Sequence, residues 1–247
     1  MTCTGHSHDH DHEDQLGLSL QTYIDMPQVF CLNEHTMNAG RSILKPYVDR
    51  LSLEPNLQSL RDDDDLELLM HIPFTEAVSI KSICISGRSS VYVPSGDEAE
   101  ATSAPFTCKV FANRTDLDFD TARELDSDVT IELLPPEHLV DIQTNDGQGG
   151  GTLDYPLRPA SKFKYCTSVT LFFGDNYAQR LAEAEGRDDD HRIPTEITFI
   201  GFKGVGTSIK RVAVEAVYES RGMMKDHKVP GAEAPGAEFG TKESKNR

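Results

Sequence analysis

The sequence predicts an all-β sandwich with minor short helices, and three observations predict it. Apolar residues recur in short runs bounded by turn formers rather than at the 3.6-residue spacing of a helical stripe. Several runs are apolar at consecutive positions near their centres, as in strands covered on both faces. Helix-forming stretches are few and short. At 247 residues the chain has room for one such domain with tails, and no repeat at a fixed period divides it.

In chain order, residues 1–17 form a His/Asp-rich segment containing Gly5-His6-Ser7-His8-Asp9-His10-Asp11-His12. It is too polar to offset its ordering entropy by burial, so a flexible tail is expected. The domain is expected over 18–222, with strand patterns at Leu66 to Ile72, Val78 to Ser86, Thr107 to Ala112, Thr130 to Leu134, Tyr165 to Phe173, Thr195 to Lys203 and Ile209 to Tyr218. The centres Ile80 to Ile85, Val169 to Phe173 and Ile197 to Phe202 carry apolar groups on both pleat faces, which favours central strands of a sandwich over an open meander. In the last pattern Val212, Val214 and Ala216 share one face. Gly201-Phe202-Lys203-Gly204-Val205-Gly206, between the last two patterns, is expected to turn a hairpin with glycine at positive φ. Two helices are expected, one over Asp118 to Leu125 capped by Asp118 or Asp120, the other over Asn176 to Gly186, rich in helix formers. Pro94 to Pro105, Asn145 to Gly151 and Asp188 to His191 read as exposed loops. Residues 223–247, with Pro230-Gly231 and Pro235-Gly236 before a charged end, read as a second flexible tail.

The charge balance narrows the function. With 24 basic and 41 acidic side chains the chain carries −17. A bare phosphate backbone or an anionic membrane surface would be repelled, so neither nucleic acid nor membrane is expected as a partner. No stretch approaches the ~20 apolar residues of a membrane span. The first residues are His, Asp and Glu where a secretion signal is basic and then apolar, which points to the cytosolic or nuclear side. Cys3, Cys31, Cys84, Cys108 and Cys166 are odd in number and form no C-x-x-C, so no disulfide framework or zinc ribbon is written here. Cys84 and Cys166 lie in apolar runs and read as small buried hydrophobes with inert thiols. The sequon Asn113-Arg114-Thr115 reads as chance in a chain that is not secreted.

His6, His8, His10 and His12, with Cys3 nearby, are the ligand types that divalent zinc, nickel or copper prefers. A selective site needs fixed geometry and supporting hydrogen bonds, so the tract reads as adventitious chelation and no cofactor is expected. Asp62 to Asp65 lacks the spacing and the glycine of a calcium loop and reads as a solvated run. His71, ending a strand pattern before Pro73, reads as a satisfied or half-exposed side chain. The glycines at 201–206 do not make G-x-G-x-x-G, and those at 147–151 are not followed by Lys-Ser/Thr. No G-x-S-x-G or H-E-x-x-H occurs, so no catalytic, cofactor-binding or metal residue is assigned and an enzyme is not expected.

Four segments read together carry a resemblance. They are Cys31-Leu32-Asn33-Glu34; Asp62 to Asp65 running into Leu66-Glu67-Leu68-Leu69-Met70-His71-Ile72-Pro73-Phe74; Val78 to Gly87; and Tyr155-Pro156-Leu157-Arg158 running on to Phe172-Phe173 and Ile200-Gly201-Phe202-Lys203-Gly204. With Phe106 to Phe119 between them, this ordered set resembles the PITH domain, the proteasome-interacting module found at the C-terminus of a thioredoxin-like protein. The His-rich start is similar to that of stand-alone PITH-domain proteins. The resemblance implies a galactose-binding-like jelly-roll β-sandwich and association with the proteasome or its regulatory particle. There is no thioredoxin domain, no Trp and no C-x-x-C here, so a redox activity is not carried over. The segment from Asn176 to Ile193 and the C-terminal tail also depart from the thioredoxin-fused members.

The expected function is therefore a non-enzymatic interaction module, a proteasome-associated adaptor or regulator, with Asp62 to Asp65 and Asp188 to Asp190 as the places for charge complementarity. Two alternatives come from other classes. One is a small-molecule or carbohydrate-binding β-sandwich, which rests on fold analogy and lacks the Trp that usually stacks sugars. The other is a metal-handling protein acting through the His tract. Cys31, Asn33 and Glu34 read as a turn that satisfies buried backbone groups.

Overall fold

The structure is a computed structural model that describes residues 17–60, 66–93, 100–139, 151–186 and 193–210. The His/Asp tract, Asp62 to Asp65, Asp188 to Asp190, residues 94–99 and 140–150 and everything after Lys210 lie outside the described residues. The chain divides into two compact units, 1–211 and 212–247, and the second is wholly outside them.

The elements are β1 (Leu18–Ser19), β2 (Phe30–Leu32), α1 (Ala39–Ser42), β3 (Leu57–Gln58), β4 (Leu68–Ser86), β5 (Pro105–Ala112), α2 (Phe119–Glu124), β6 (Val129–Glu132), β7 (Asp154–Pro156), β8 (Cys166–Asn176), α3 (Tyr177–Glu185), β9 (Glu196–Ile197) and β10 (Phe199–Lys210), with single turns of 3-10 helix such as Tyr47–Asp49 and Pro136–Leu139. Every pairing between them is antiparallel. This is the all-β sandwich with minor short helices that the sequence predicts.

Strand β4 organises both layers. Its first part, Leu68 to Pro73, is hydrogen-bonded to β2 on one side and β8 on the other, and β8 leads on through β5 to β6. Its second part, Glu76 to Ser86, lies between β10 and β7, and β10 carries β1. The register breaks between Pro73 and Val78, where β4 passes from one layer to the other. Proline cannot donate to a ladder, so Pro73 belongs at such a break. The runs at Leu66 to Ile72 and Val78 to Ser86, expected as two strands, are thus one strand of 19 residues.

A second irregularity explains the two-sided apolar centre of this strand. Ser82 pairs with Lys203 but Ile80 pairs with the next residue, Gly204, so Lys81 is the extra residue of a β-bulge. A bulge switches which parity faces inward. Val78 and Ile80 before it, and Ile83 and Ile85 after it, all join the same core. Strand β8 is apolar on both faces for a different reason. Val169, Leu171 and Phe173 enter the core, while Phe172 joins Leu69, Phe111 and Ala122 in a second cluster beneath α2.

The central core is filled by fully buried side chains including Phe74, Phe163, Phe173 and Phe202. Each contributes about 1.5–3 kcal/mol by leaving water. Both expected helices form, the first with its expected Asp118 cap. Asp118 accepts from Thr121 N at 2.8 Å, and Lys109 Nζ reaches the α2 C-terminal carbonyls of Ala122 and Arg123 at 3.0 and 2.7 Å. Asn176 and Gln179 form a reciprocal capping box on α3, which ends on Gly186 at φ 63°.

The expected hairpin at Gly201 to Gly206 does not form. These residues lie inside β10, which continues to Lys210, so Ile209 is not the start of a new strand; the remainder of the Ile209 to Tyr218 run lies outside the described residues. Glycine is needed here for close approach rather than for a turn. A Cβ on Gly204 would stand 2.1 Å from the Ser79 carbonyl oxygen, and one on Gly206 would stand 2.6 Å from the Tyr23 ring.

Candidate functional site

Register places a polar cluster on the outer face of the β10, β4 and β7 layer. Once the bulge has turned Ile83 and Ile85 inward, Ser82, Cys84 and Ser86 face outward. Opposite them on β10 stand Lys203, Gly201 and Phe199, and opposite Cys84 on β7 stands Asp154. The segment from Tyr47 onward lies over this face. Tyr47 donates to Asp154 Oδ1, Lys203 Nζ donates to Asp154 Oδ2 at 2.8 Å, and the ammonium sits 4.4 Å above the Tyr47 ring. The ring meets Phe199 edge-on at 5.5 Å. Gly201 makes room for both rings, since a Cβ there would approach Phe199 to 2.6 Å and Tyr47 to 3.3 Å.

Arg50 closes the cluster from the far side. It is 2% exposed, donates to Thr152 Oγ1 at 3.2 Å and to the Tyr47 carbonyl at 3.1 Å, and lies 5.3 Å from the Tyr47 ring centre. Burial, with the Asp154 charge adding to it, pushes the Cys84 thiol up to about 12. Burial likewise pushes the Tyr47 phenol up, with Cys84 and Asp154 adding to it. A thiol and a phenol held in their neutral forms are not nucleophiles at neutral pH, and the lysine is paired to a carboxylate. What the arrangement does is brace. It fixes the Tyr47 segment on the sheet and leaves Val48, Leu51 and Leu53 exposed to solvent. The sequence reading missed it because its members are up to 156 positions apart, from Tyr47 to Lys203. The signal present was the polar alternation Ser82, Cys84, Ser86 within an apolar strand and a lone Lys203 in another.

The residues singled out from sequence fall elsewhere. His71 does not end a strand but lies within β4, where it is buried, stacks on Phe30 at 5.1 Å and bonds Thr170 Oγ1 at 3.0 Å. The Thr170 hydroxyl donates to the Arg114 carbonyl, which leaves His71 Nδ1 to donate. Cys31, Asn33 and Glu34 form a structural turn. Glu34 accepts from Asn38 N at 2.5 Å and Gly40 N at 2.8 Å, and Asn33, at φ 67°, donates to the Glu67 carbonyl at 2.8 Å. Burial and the Glu34 charge push the Cys31 thiol up. Cys84 and Cys166 are buried, as expected. Asn113 Oδ1 accepts from Thr167 N and Oγ1. His6, His8, His10, His12 and Cys3, and the acidic runs at 62–65 and 188–190, are outside the described residues, among which no three His, Cys, Asp or Glu side chains are grouped to hold a metal ion. Among the described residues no helix is long and apolar enough to cross a membrane.

Fold and cluster together define a β-sandwich domain whose outer-face polar groups brace a surface segment. Comparison with known proteins identifies which one. The family model described as PITH domain matches residues 10–222. PITH domain-containing protein 1 of Dictyostelium discoideum is 31% identical over 92% of each chain. PITH domain-containing protein CG6153 of Drosophila melanogaster is 32% identical over 85% of this chain and 81% of its own. PITH domain-containing protein 1 of Homo sapiens is 27% identical over 87% and 84%. The chain belongs to the PITH-domain family. Among solved structures, the paired CBM32 domains of Clostridium perfringens ZmpB in complex with GalNAc are 11% identical with a TM-score of 0.43, over 80% of this chain and 38% of that one. CBM32-3 from a family 31 glycoside hydrolase of the same organism is 10% identical with a TM-score of 0.41, over 74% and 96%.

Proposed function

We propose that this chain is a non-enzymatic protein-interaction module of the cytosol and nucleus that binds the proteasome or its regulatory particle. Membership of the PITH family supports the interaction role. The observation that carries it is the use to which the buried polar groups are put. Tyr47, Asp154, Lys203 and Arg50 are spent on one another, and the segment they hold presents Val48, at 74% exposure, with Leu51 and Leu53. Apolar side chains on a rigid base form a surface for a protein partner at little ordering cost.

The test is co-sedimentation of the purified chain with intact 26S particles at low and physiological salt. Saturable binding at physiological salt, weakened by Val48→Asp with Leu51→Asp, is the expected result. No binding at either salt overturns the proteasome reading.

A further inference from the structure

The surface of the turn after β7 runs against the charge of the whole chain. From Leu157 to Gly174 there is no Asp or Glu, while Arg158, Lys162 and Lys164 lie within seven residues of one another, in a protein of charge −17. The turn is built rigidly. Leu157 N donates to the Lys81 carbonyl and the Phe163 carbonyl accepts from Ile80 N, both at 2.9 Å, which clamps it to β4 at the bulge. Leu157 and Phe163 are buried in the core. Between and after these anchors Arg158, Pro159, Ala160, Ser161, Lys162, Lys164 and Tyr165 are exposed.

Two features separate this turn from an ordinary solvated one. Lys162 is paired with Asp128 at 3.1 Å, the carboxylate the structure sets against this turn, but among the described residues Arg158 and Lys164 have no ion-pair partner. Tyr165 is 60% exposed and sits at φ 57°, a conformation that costs a bulky L residue about 1–2 kcal/mol. A glycine would relieve that strain, so an aromatic ring is held in water at a cost to folding, next in the chain to the unpaired Lys164 and in the same turn as Arg158.

Resting on the interaction-module reading, we propose that the turn Arg158 to Tyr165 binds an acidic, extended peptide segment of a partner protein. Arg158 and Lys164 receive its carboxylates and the Tyr165 ring packs against its backbone or an apolar side chain. Arginine suits this role because its planar fork binds carboxylate with two parallel hydrogen bonds. The interaction-module reading makes the occupant a protein segment rather than a nucleic acid.

The test uses the full chain and a short fluorescein-labelled peptide of alternating Glu and Ser, read by anisotropy at low and physiological salt. Arg158→Glu with Lys164→Glu lowers affinity by about tenfold or more and flattens the salt dependence. Tyr165→Gly lowers affinity about threefold without lowering the thermal midpoint, because glycine accepts the left-handed backbone. Unchanged affinity in both variants overturns the site, as does equal binding of a Lys/Ser peptide. Tighter binding of a single-stranded oligonucleotide of matched length also overturns it, in favour of nucleic acid. Failure here is separable from failure of the proteasome reading. If the unsubstituted chain co-sediments with 26S particles but does not bind the peptide, this site falls and the module reading stands.

Discussion

The two layers of the sandwich each carry a chain segment on their outer face, and they hold it by opposite means. On the β8 and β5 layer, α2 is seated through its Ala122 on Leu69, Phe111 and Phe172, with Lys109 beneath its C-terminus. On the β10 and β7 layer, the Tyr47 segment is seated on Asp154, Lys203 and Thr152 through Tyr47 and Arg50. Apolar contact is non-directional and sums over area, whereas each polar contact depends on its partner staying in place. The first cover should therefore respond to lost volume and the second to a lost partner.

The largest expected effect is on the apolar side. Phe172→Ala should destabilise the domain by about 3–4 kcal/mol in denaturant unfolding, as the transfer and cavity terms add. On the polar side, Asp154→Ala strands Lys203, 17% exposed, and the Tyr47 hydroxyl, at a cost of about 2 kcal/mol, below that of a fully buried pair. The sharper comparison is Asp154→Leu with Lys203→Met. Removing both charges should recover most of the single-variant loss, a coupling that no pair of substitutions under α2 should show. Additive losses on the polar side would erase the distinction.

The smallest effect is at Glu137, where the polar device recurs at an exposed position. Burial alone would raise this carboxyl, but hydrogen bonds from Ser89 Oγ, Ser90 N and Ser90 Oγ outweigh it and hold it down from 4.5 to about 2. A depressed carboxyl contributes its stability fully above the unfolded value and loses it as pH falls toward about 2. Glu137→Gln should therefore flatten the pH dependence of the thermal midpoint below 4.5, lowering its neutral-pH value slightly and leaving its value near pH 2 unchanged. An unchanged acid slope would show that these bonds do not form in solution.

The longer strands, both helices and the Asp118 cap are legible in the sequence because their signals are local, whereas the two- and three-residue strands β1, β2, β3 and β7 carry no such signal. Asp118 and Asn176 stand directly before good helix formers, and β5, β6 and β8 overlap the predicted runs to within three residues at each end. The continuity of β4 through Pro73 is not legible, since proline is a strand terminator unless the register breaks there, and the break is defined only by the partners β8 and β10. The glycines of β10 were misread for the same reason. What excludes a side chain at Gly204 and Gly206 is Ser79 and Tyr23, more than a hundred positions earlier. The brace at Tyr47 required knowing that Lys81 is a bulge residue, because without it Ser82 and Cys84 have no assigned face.

The sharing of β4 between the layers has a mechanical consequence. In a sandwich of two independently hydrogen-bonded sheets, one sheet can fray or slide while the other persists. Here a single spar of 19 residues is stitched on both edges in each half, so neither layer loosens without tearing bonds in the strand that also belongs to its neighbour. Amide hydrogens along Leu69 to Ile72 and Ile83 to Ile85 should accordingly exchange together, at the rate of global unfolding. A load applied to the Tyr47 segment on one face is then borne by the α2 face as well, and the domain answers a pull from any side as one rigid block.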